Sequence, residues 1–352
     1  IEWDHERDCI EMVDQTKLPA EWTTYHAETV EELVESIQRL RIRGASGLGA
    51  AGAYGVALAT RTNDAATFDA FLADVRGDAQ RIAEARPTAV NLSREVEATM
   101  AAVEAADSIS GAREAALEDA EALADRDVDR NKRLGQHGAR LLSDGDTVMT
   151  HCNAGALATV DWGTALGVVY SAQEAGMAVD VIANETRPLN QGSRITTVEL
   201  LDRDVETTLI PDNAAGLCLR EGMVDAVVVG ADRVVLDGGG ESGDEAVVFN
   251  KIGTYKHAVV ADRHDVPFVV AAPRATIDGR NPASDVEIEQ RDPTELREIY
   301  GTQNAPRDVD VYNPAFDATP AELVDYLVTE HGVFEPPFDR AELLGEEAAP
   351  AE

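Results

Sequence analysis

The sequence predicts an α/β fold: a mainly helical N-terminal domain followed by a Rossmann-like domain built on a parallel sheet. Two observations predict it. Apolar residues recur at helical spacing through the first ~130 residues, with few strand-like runs among them. From Asp146 onward short apolar runs at 147–150, 178–183, 207–210, 226–229 and 267–271 alternate with helix-like stretches at 164–175, 193–201, 213–221 and 252–262. Strands alternating with helices of that length form a parallel sheet covered on both faces. The expected domains are therefore 1–130, helical with short strands, and 131–344, the α/β domain, with a disordered tail at 345–352.

Taken in order, residues 1–20 mix apolar and charged positions and read as two short strands before the turn signal Asp14-Gln15-Thr16-Lys17-Leu18-Pro19. Thr29 caps a helix whose period is carried by Val30, Leu33, Val34, Ile37 and Leu40. The glycine-rich junction Arg43-Gly44-Ala45-Ser46-Gly47 follows, and then 50–59, small and apolar all round, as suits a buried helix. Amphipathic helices are expected at 64–84, closing at Arg86-Pro87, and at 91–105 and 112–142. In the second half the acidic, glycine-rich loop around 236–248 interrupts the alternation, either as a lid or as a solvated excursion.

Charge narrows the function. The 66 acidic against 30 basic residues give a net charge of −36, and only four lysines occur: Lys17, Lys132, Lys251 and Lys256. Such a surface repels nucleic acid and anionic membranes, whose recognition needs a clustered basic face. It suits a cytoplasm of very high salt, where self-repulsion is screened to about 3 Å at 1 M. An anionic substrate would have to be held against this field, so each cation beside a glycine-rich turn becomes informative. Cys9, Cys152 and Cys218 have no metal-like spacing, and no apolar run approaches a membrane span, so the expectation is a reducing, cytoplasmic protein. No Gly-x-Gly-x-x-Gly follows a strand and no P-loop occurs, leaving a nucleotide cofactor unsupported.

In an open parallel sheet ligands bind beyond the carboxyl ends of the strands. Those ends are Cys152, then Asn184-Glu185-Thr186-Arg187, then Asp212-Asn213, then Gly230-Ala231-Asp232-Arg233. Cys152 reads either as a reactive thiol at a strand-to-helix turn or as a buried structural one. Its neighbour His151 points to the opposite face of the strand and reads as structural. Asp232 reads as a carboxyl group whose pKa is raised by desolvation in a closed cleft, or as a capping or salt-bridged aspartate. Arg43-Gly44-Ala45, Arg86 and Asn250-Lys251, the last taken as a helix start, are candidate phosphate holders, against the alternative of surface ion pairs.

A run of motifs in fixed order then carries a resemblance. They are Ile1-Glu2-Trp3, Asp14-Gln15-Thr16-Lys17-Leu18-Pro19, Thr150-His151-Cys152-Asn153-Ala154-Gly155-Ala156-Leu157-Ala158-Thr159, Glu185-Thr186-Arg187-Pro188 and Gln191-Gly192. Asp212-Asn213-Ala214-Ala215-Gly216, Gly230-Ala231-Asp232-Arg233, Asn250-Lys251-Ile252-Gly253-Thr254-Tyr255 and Asn313-Pro314-Ala315-Phe316-Asp317 complete the series. Over nearly its whole length the chain resembles the methylthioribose-1-phosphate isomerase family, which is related to ribose-1,5-bisphosphate isomerases and to regulatory subunits of a translation-initiation exchange factor. The resemblance implies an aldose–ketose isomerase of methionine salvage, with Asp232 as proton donor and Cys152 as the second catalytic group. It implies substrate binding by Arg43, Gly44, Ala45, Arg86, Gln191, Asn250 and Lys251, a homodimer, no metal and no organic cofactor. The alternatives are action on ribose 1,5-bisphosphate or 5-deoxyribose 1-phosphate, or a non-catalytic regulatory subunit. One departure stands out: Ser46 follows Arg43-Gly44-Ala45 where the family usually has proline, which predicts a looser turn.

Overall fold

A computed structural model describes residues 1–87, 89–237 and 245–345. Most of the acidic loop and all but the first residue of the expected tail lie outside the described residues. The described chain divides into two compact units. One comprises Ile1–Asn131 with Ala154–Gly163; the other comprises Lys132–Asn153 with the described part of Thr164–Glu352.

The first unit opens with an antiparallel sheet of β1 (Glu2–Asp4), β2 (Cys9–Val13) and β3 (Thr24–Ala27), the last of which the sequence reading did not anticipate. Alternation sends Trp3, Ile10, Met12 and Ala27 into the core. Helix α1 (Val30–Gln38) starts on a full capping box: the Thr29 hydroxyl accepts the Glu32 N–H at 3.2 Å, and the Glu32 carboxylate accepts the Thr29 N–H at 3.0 Å. Helix α2 (Ala45–Thr62) is buried without a break from Gly47 to Thr60, which its small side chains permit. Helices α3 (Phe68–Glu84) and α4 (Val90–Ala105) pack on it. The Leu92 carbonyl lies only 2.8 Å from where a Cβ on Gly52 would stand, so α4 approaches α2 as closely as backbone allows. Helix α5 (Ile109–Gly138) runs for 30 residues, and the division between units falls within it.

The second unit is organised on a seven-stranded sheet. In chain order it runs β4 (Thr147–Thr150), α6 (Ala165–Glu174), β5 (Asp180–Asn184), a π-helical turn at Gly192–Thr196, α7 (Thr197–Asp202), β6 (Thr207–Ile210), α8 (Ala215–Arg220) and β7 (Ala226–Val229). There follow β8 (Arg233–Asp237), β9 (Glu245–Lys251), α9 (Thr254–Arg263), β10 (Phe268–Ala271) and β11 (Ile277–Asp278). The short pieces α10 (Thr294–Arg297), β12 (Glu298–Ile299) and β13 (Thr302–Gln303) precede β14 (Phe316–Pro320), β15 (Tyr326–Thr329), β16 (Gly332–Phe334) and α11 (Arg340–Leu344).

The sheet order is β16-β15-β10-β7-β4-β5-β6, parallel throughout except for the edge strand β16. The chain steps outward from β4 through β5 to β6, then returns to the far side of β4 as β7. That reversal is a topological switch point, where helices on the two sides diverge and leave a crevice beyond the strand ends. Met149, Ile182, Val227, Phe268 and Val270 fill the core beneath it. A smaller sheet, β11-β8-β9-β14, follows β7. Sequence reading missed it, because β9 pairs with a strand some 65 residues further on and only tertiary contact defines either edge. Among the described residues no helix is long and apolar enough to cross a membrane.

Candidate active site

The carboxyl ends of β4, β5, β6 and β7 lie on one edge of the sheet. Cys152 follows β4 and Asp232 follows β7, so these two flank the switch point from its adjacent strands. Cys152 is half-buried and holds a left-handed backbone, φ +70°. Its N–H donates to the Thr186 hydroxyl at 2.8 Å, and its carbonyl accepts from the Thr196 hydroxyl at 2.7 Å. Beyond it, Asn153 is buried and donates to Glu199 Oε1 at 2.8 Å.

The strand after β4's own end is fixed in the same manner. The Asn184 amide donates to the Thr150 carbonyl at 2.9 Å. Asp212, at the end of β6, accepts the N–H groups of Thr186 and Arg187, both at 2.7 Å, one on each carboxylate oxygen. Gln191 is buried, and its Oε1 has no hydrogen-bond partner among the described residues. A buried amide oxygen left without a partner costs about 1–3 kcal/mol.

His151 behaves as a structural group. Its Nε2 lies 2.9 Å from the Ile252 carbonyl and its Nδ1 3.2 Å from Nε2 of His257. Both bonds form at once when His257 donates to His151 and His151 donates to the carbonyl, with both rings neutral. Burial holds them so: it pushes the His151 pKa down to about 4 and that of His257 well below its usual value, the latter helped by His151 itself. The pair also seats the β9–α9 junction beside β4, because a Cβ on Gly253 (φ +106°) would stand 2.9 Å from His151 Nε2.

That junction carries Asn250 and Lys251, both buried. They end strand β9 rather than opening a helix, which corrects the sequence expectation; α9 begins at Thr254. Asn250 donates to the Thr254 hydroxyl at 3.0 Å, and Lys251 Nζ sits 4.9 Å from the centroid of the Phe316 ring. The expected phosphate clamp at the helix N-terminus is also altered. Asp317 already accepts the N–H groups of Gly253 at 2.7 Å and Tyr255 at 3.1 Å. Its pKa is raised by burial, against the opposing pull of those two bonds.

Asp232 differs from expectation as well. Its N–H donates to the Phe249 carbonyl at 2.9 Å, placing it beside Asn250 on β9, but the residue is solvent-exposed rather than desolvated.

Arg43, Gly44, Ala45 and Arg86 belong to the first unit, and all four are half-buried. Gly44 caps α2 with φ +90° and ψ 150°, a region essentially restricted to glycine. Its missing side chain makes room for the Ala158 carbonyl, which a Cβ would meet at 2.0 Å. The Ser46 side chain bonds to buried Asp127 on α5, which also accepts the Val160 N–H at 3.1 Å and the Asn131 amide at 3.1 Å. Burial raises the pKa of Asp127 against these bonds. Among the described residues one group has metal-compatible spacing, Asp4, Glu11 and His26 in the first unit. It is satisfied as an ion-pair cluster, with His26 2.8 Å from Glu11 and Arg7 3.5 Å from Asp4.

Sequence reading placed Thr186 at a strand end and Asp317 in a motif but gave neither a role, and it did not single out Thr196 or Glu199. A threonine's bond to a backbone group in another segment leaves no trace in local pattern.

A family model described as "Initiation factor 2 subunit family" matches residues 41–336. The chain belongs to that family. Within it, the chain is 45% identical to the methylthioribose-1-phosphate isomerase of Desulfitobacterium hafniense (strain Y51), over 94% of each sequence. It is similar to the crystal structure of 5-methylthioribose 1-phosphate isomerase from Pyrococcus horikoshii OT3, with a TM-score of 0.90 and 38% identity over 97% of this chain and 94% of that one. It is equally similar in fold to a crystal structure from A. fulgidus described as translation initiation factor eIF-2B, subunit delta, with a TM-score of 0.89 and 49% identity over 98% of both chains. The family thus joins relatives named as enzymes and relatives named as translation factors.

Proposed function

We propose that the protein is an aldose–ketose isomerase that converts 5-methylthioribose 1-phosphate to 5-methylthioribulose 1-phosphate in methionine salvage. The observation that carries this reading is the placement of Cys152 and Asp232 at the ends of adjacent strands, β4 and β7, across the switch point. Full-length isomerase relatives support it.

The chemistry asks for two groups. A phosphate on C1 locks the sugar as a ring, so opening requires a proton on the ring oxygen as the C1–O bond breaks; Asp232 donates it. Hydrogen then moves from C2 to C1 as the C2 hydroxyl becomes the ketone, and the proton that hydroxyl releases balances the one Asp232 gave to the ring oxygen. Cys152 is the group beside that transfer. The conversion is redox-neutral within one molecule, C1 being reduced as C2 is oxidised. In the second unit the Gln191 Oε1 acceptor suits a sugar hydroxyl, and Lys251 with Asn250 suits the phosphate, the lysine being one of only four in the chain. Arg43, Gly44, Ala45 and Arg86 are proposed as the substrate-binding residues of the first unit. The acidic surface suits a cytoplasm of high salt, and the family resemblance implies a homodimer.

A second reading is a non-catalytic regulatory subunit, favoured by the A. fulgidus relative's description. A binding module needs neither a thiol nor a carboxyl group at the switch point, and this chain has both. The discriminating experiment is a ketose-product assay at high salt with 5-methylthioribose 1-phosphate, ribose 1,5-bisphosphate and 5-deoxyribose 1-phosphate side by side. The expected result is turnover with the highest kcat/KM on the first. Binding of all three without turnover would replace the isomerase with the regulatory reading, and a preference for the bisphosphate would reassign the substrate.

A further inference from the structure

Cys152 occupies a backbone conformation that its residue type disfavours. A left-handed position costs an ordinary L-residue roughly 1–2 kcal/mol, which is why glycine or asparagine usually fills it. The immediate neighbours do not relieve it, since Thr186 across the turn is itself left-handed at φ +64° and β-branched. Something must therefore hold the peptide units on both sides of the cysteine.

Two buried hydroxyls do so, each using its donor and its acceptor in full. Thr186 Oγ1 accepts the Cys152 N–H at 2.8 Å and donates to the Asn184 carbonyl at 3.1 Å. Thr196 Oγ1 donates to the Cys152 carbonyl at 2.7 Å and accepts from the Asn153 amide at 3.2 Å. Both threonines are fully buried. Their positions are fixed in turn. Asp212 clamps the Thr186 and Arg187 N–H groups, and Thr196 closes the π-helical turn that begins at Gly192. Gly192 itself is pressed against the Asn184 carbonyl, so closely that any Cβ there would overlap it. A π turn of this kind frequently marks a functional site, because it departs from the regular ladder to aim one residue.

We infer that Thr186 and Thr196 are positioning residues for the isomerisation: their hydroxyls lock the two peptide groups of Cys152 and so fix where its thiol stands. This rests on the isomerase reading for its kinetic consequence, but not for its structural one. Replacing either hydroxyl by a methyl group leaves shape unchanged and frees one peptide group. The backbone then relaxes toward φ < 0 and carries Cβ and Sγ away from the reacting carbons.

The test uses the full chain at high salt. In Thr186→Val and Thr196→Val, kcat is expected to fall about 10- to 100-fold with KM within about threefold, as befits a misplaced group rather than lost binding. Thr186→Ser and Thr196→Ser, which keep the hydroxyl, are expected to restore kcat to within about threefold of the parent. The double valine variant should lose little more than the worse single one, because both hydroxyls hold one residue. A second readout is independent of turnover: the rate at which iodoacetamide alkylates Cys152, followed by peptide mass spectrometry, should change at least about fivefold in either valine variant. An alkylation rate unchanged within twofold, or a kcat loss that serine does not rescue, overturns the proposal. If the parent turns over no sugar phosphate but the alkylation rates still shift, the isomerase reading fails while the clamp stands. Should Thr186→Val not fold, Thr196→Val decides by the same criteria.

Discussion

Gly44 and Cys152 both sit at positive φ, at +90° and +70°, in the two units of the molecule, and the chain reaches those conformations by opposite means. At Gly44 the side chain is simply absent. No side-chain cap supports the turn, and the space a Cβ would take belongs to the Ala158 carbonyl. At Cys152 a side chain is present, and two threonine hydroxyls restrain the backbone around it. Where a turn needs only shape, glycine suffices. Where the same conformation carries a side chain, the strain is accepted and neighbouring segments hold it in place.

The strongest way to break this contrast is Gly44→Ala. A Cβ there combines a glycine-only backbone region with a backbone clash that no rotamer relieves, so the expected loss is at least about 4 kcal/mol, read as a large fall in denaturation midpoint. A loss below about 1 kcal/mol would mean the turn is shaped by something other than the missing side chain.

Acid should separate the two turns. In the second unit an unfolded His151 takes up a proton near pH 6.5, whereas the folded one does so only near 4. Its contribution is therefore complete above pH 6.5 and is lost as pH falls through 4. In the first unit buried Asp127, bonded to Ser46, has its pKa raised, so its linkage has the other sign: protonation on acidification favours the folded state. Amide exchange at 151–153 and 252–253 should accelerate on acidification from pH 6.5 to 4.5, relative to intrinsic rates, before exchange at 45–48 does. Simultaneous opening of both turns would contradict the assignment.

A smaller effect sharpens the account of strain. Cys152→Gly is expected to be more stable than Cys152→Ala by about 1 kcal/mol, the reverse of the usual order, because only alanine keeps the left-handed penalty. Urea midpoints of the two variants decide it. An alanine variant as stable as the glycine one would show that Cys152 is not strained.

Much of this architecture was legible beforehand, for identifiable reasons. The capping box at Thr29 and Glu32 is a local event, and so are the apolar runs that became β4, β5, β6, β7 and β10. Because those strands are parallel, reading their ends in order also put Cys152 and Asp232 on one edge. What escaped reading depended on partners distant in sequence. The β8–β9–β14 sheet is defined by pairing, and Asn250-Lys251 was taken as a helix start because Phe316 to Pro320 completes the strand pair from far away. The exposure of Asp232 was misjudged because a strand end is not necessarily a closed cleft. Asp317, which occupies the start of α9, lies more than sixty residues from the N–H groups it accepts.

The central claim is that Cys152 and Asp232 together isomerise a sugar 1-phosphate. Ketose formation from 5-methylthioribose 1-phosphate tests it most directly, measured at high salt for the parent, Cys152→Ser and Asp232→Asn, with substrate-induced thermal stabilisation followed in parallel. The account predicts that each variant loses about 1,000-fold or more in turnover while the stabilisation persists. Turnover at the parent's rate in either variant would contradict it.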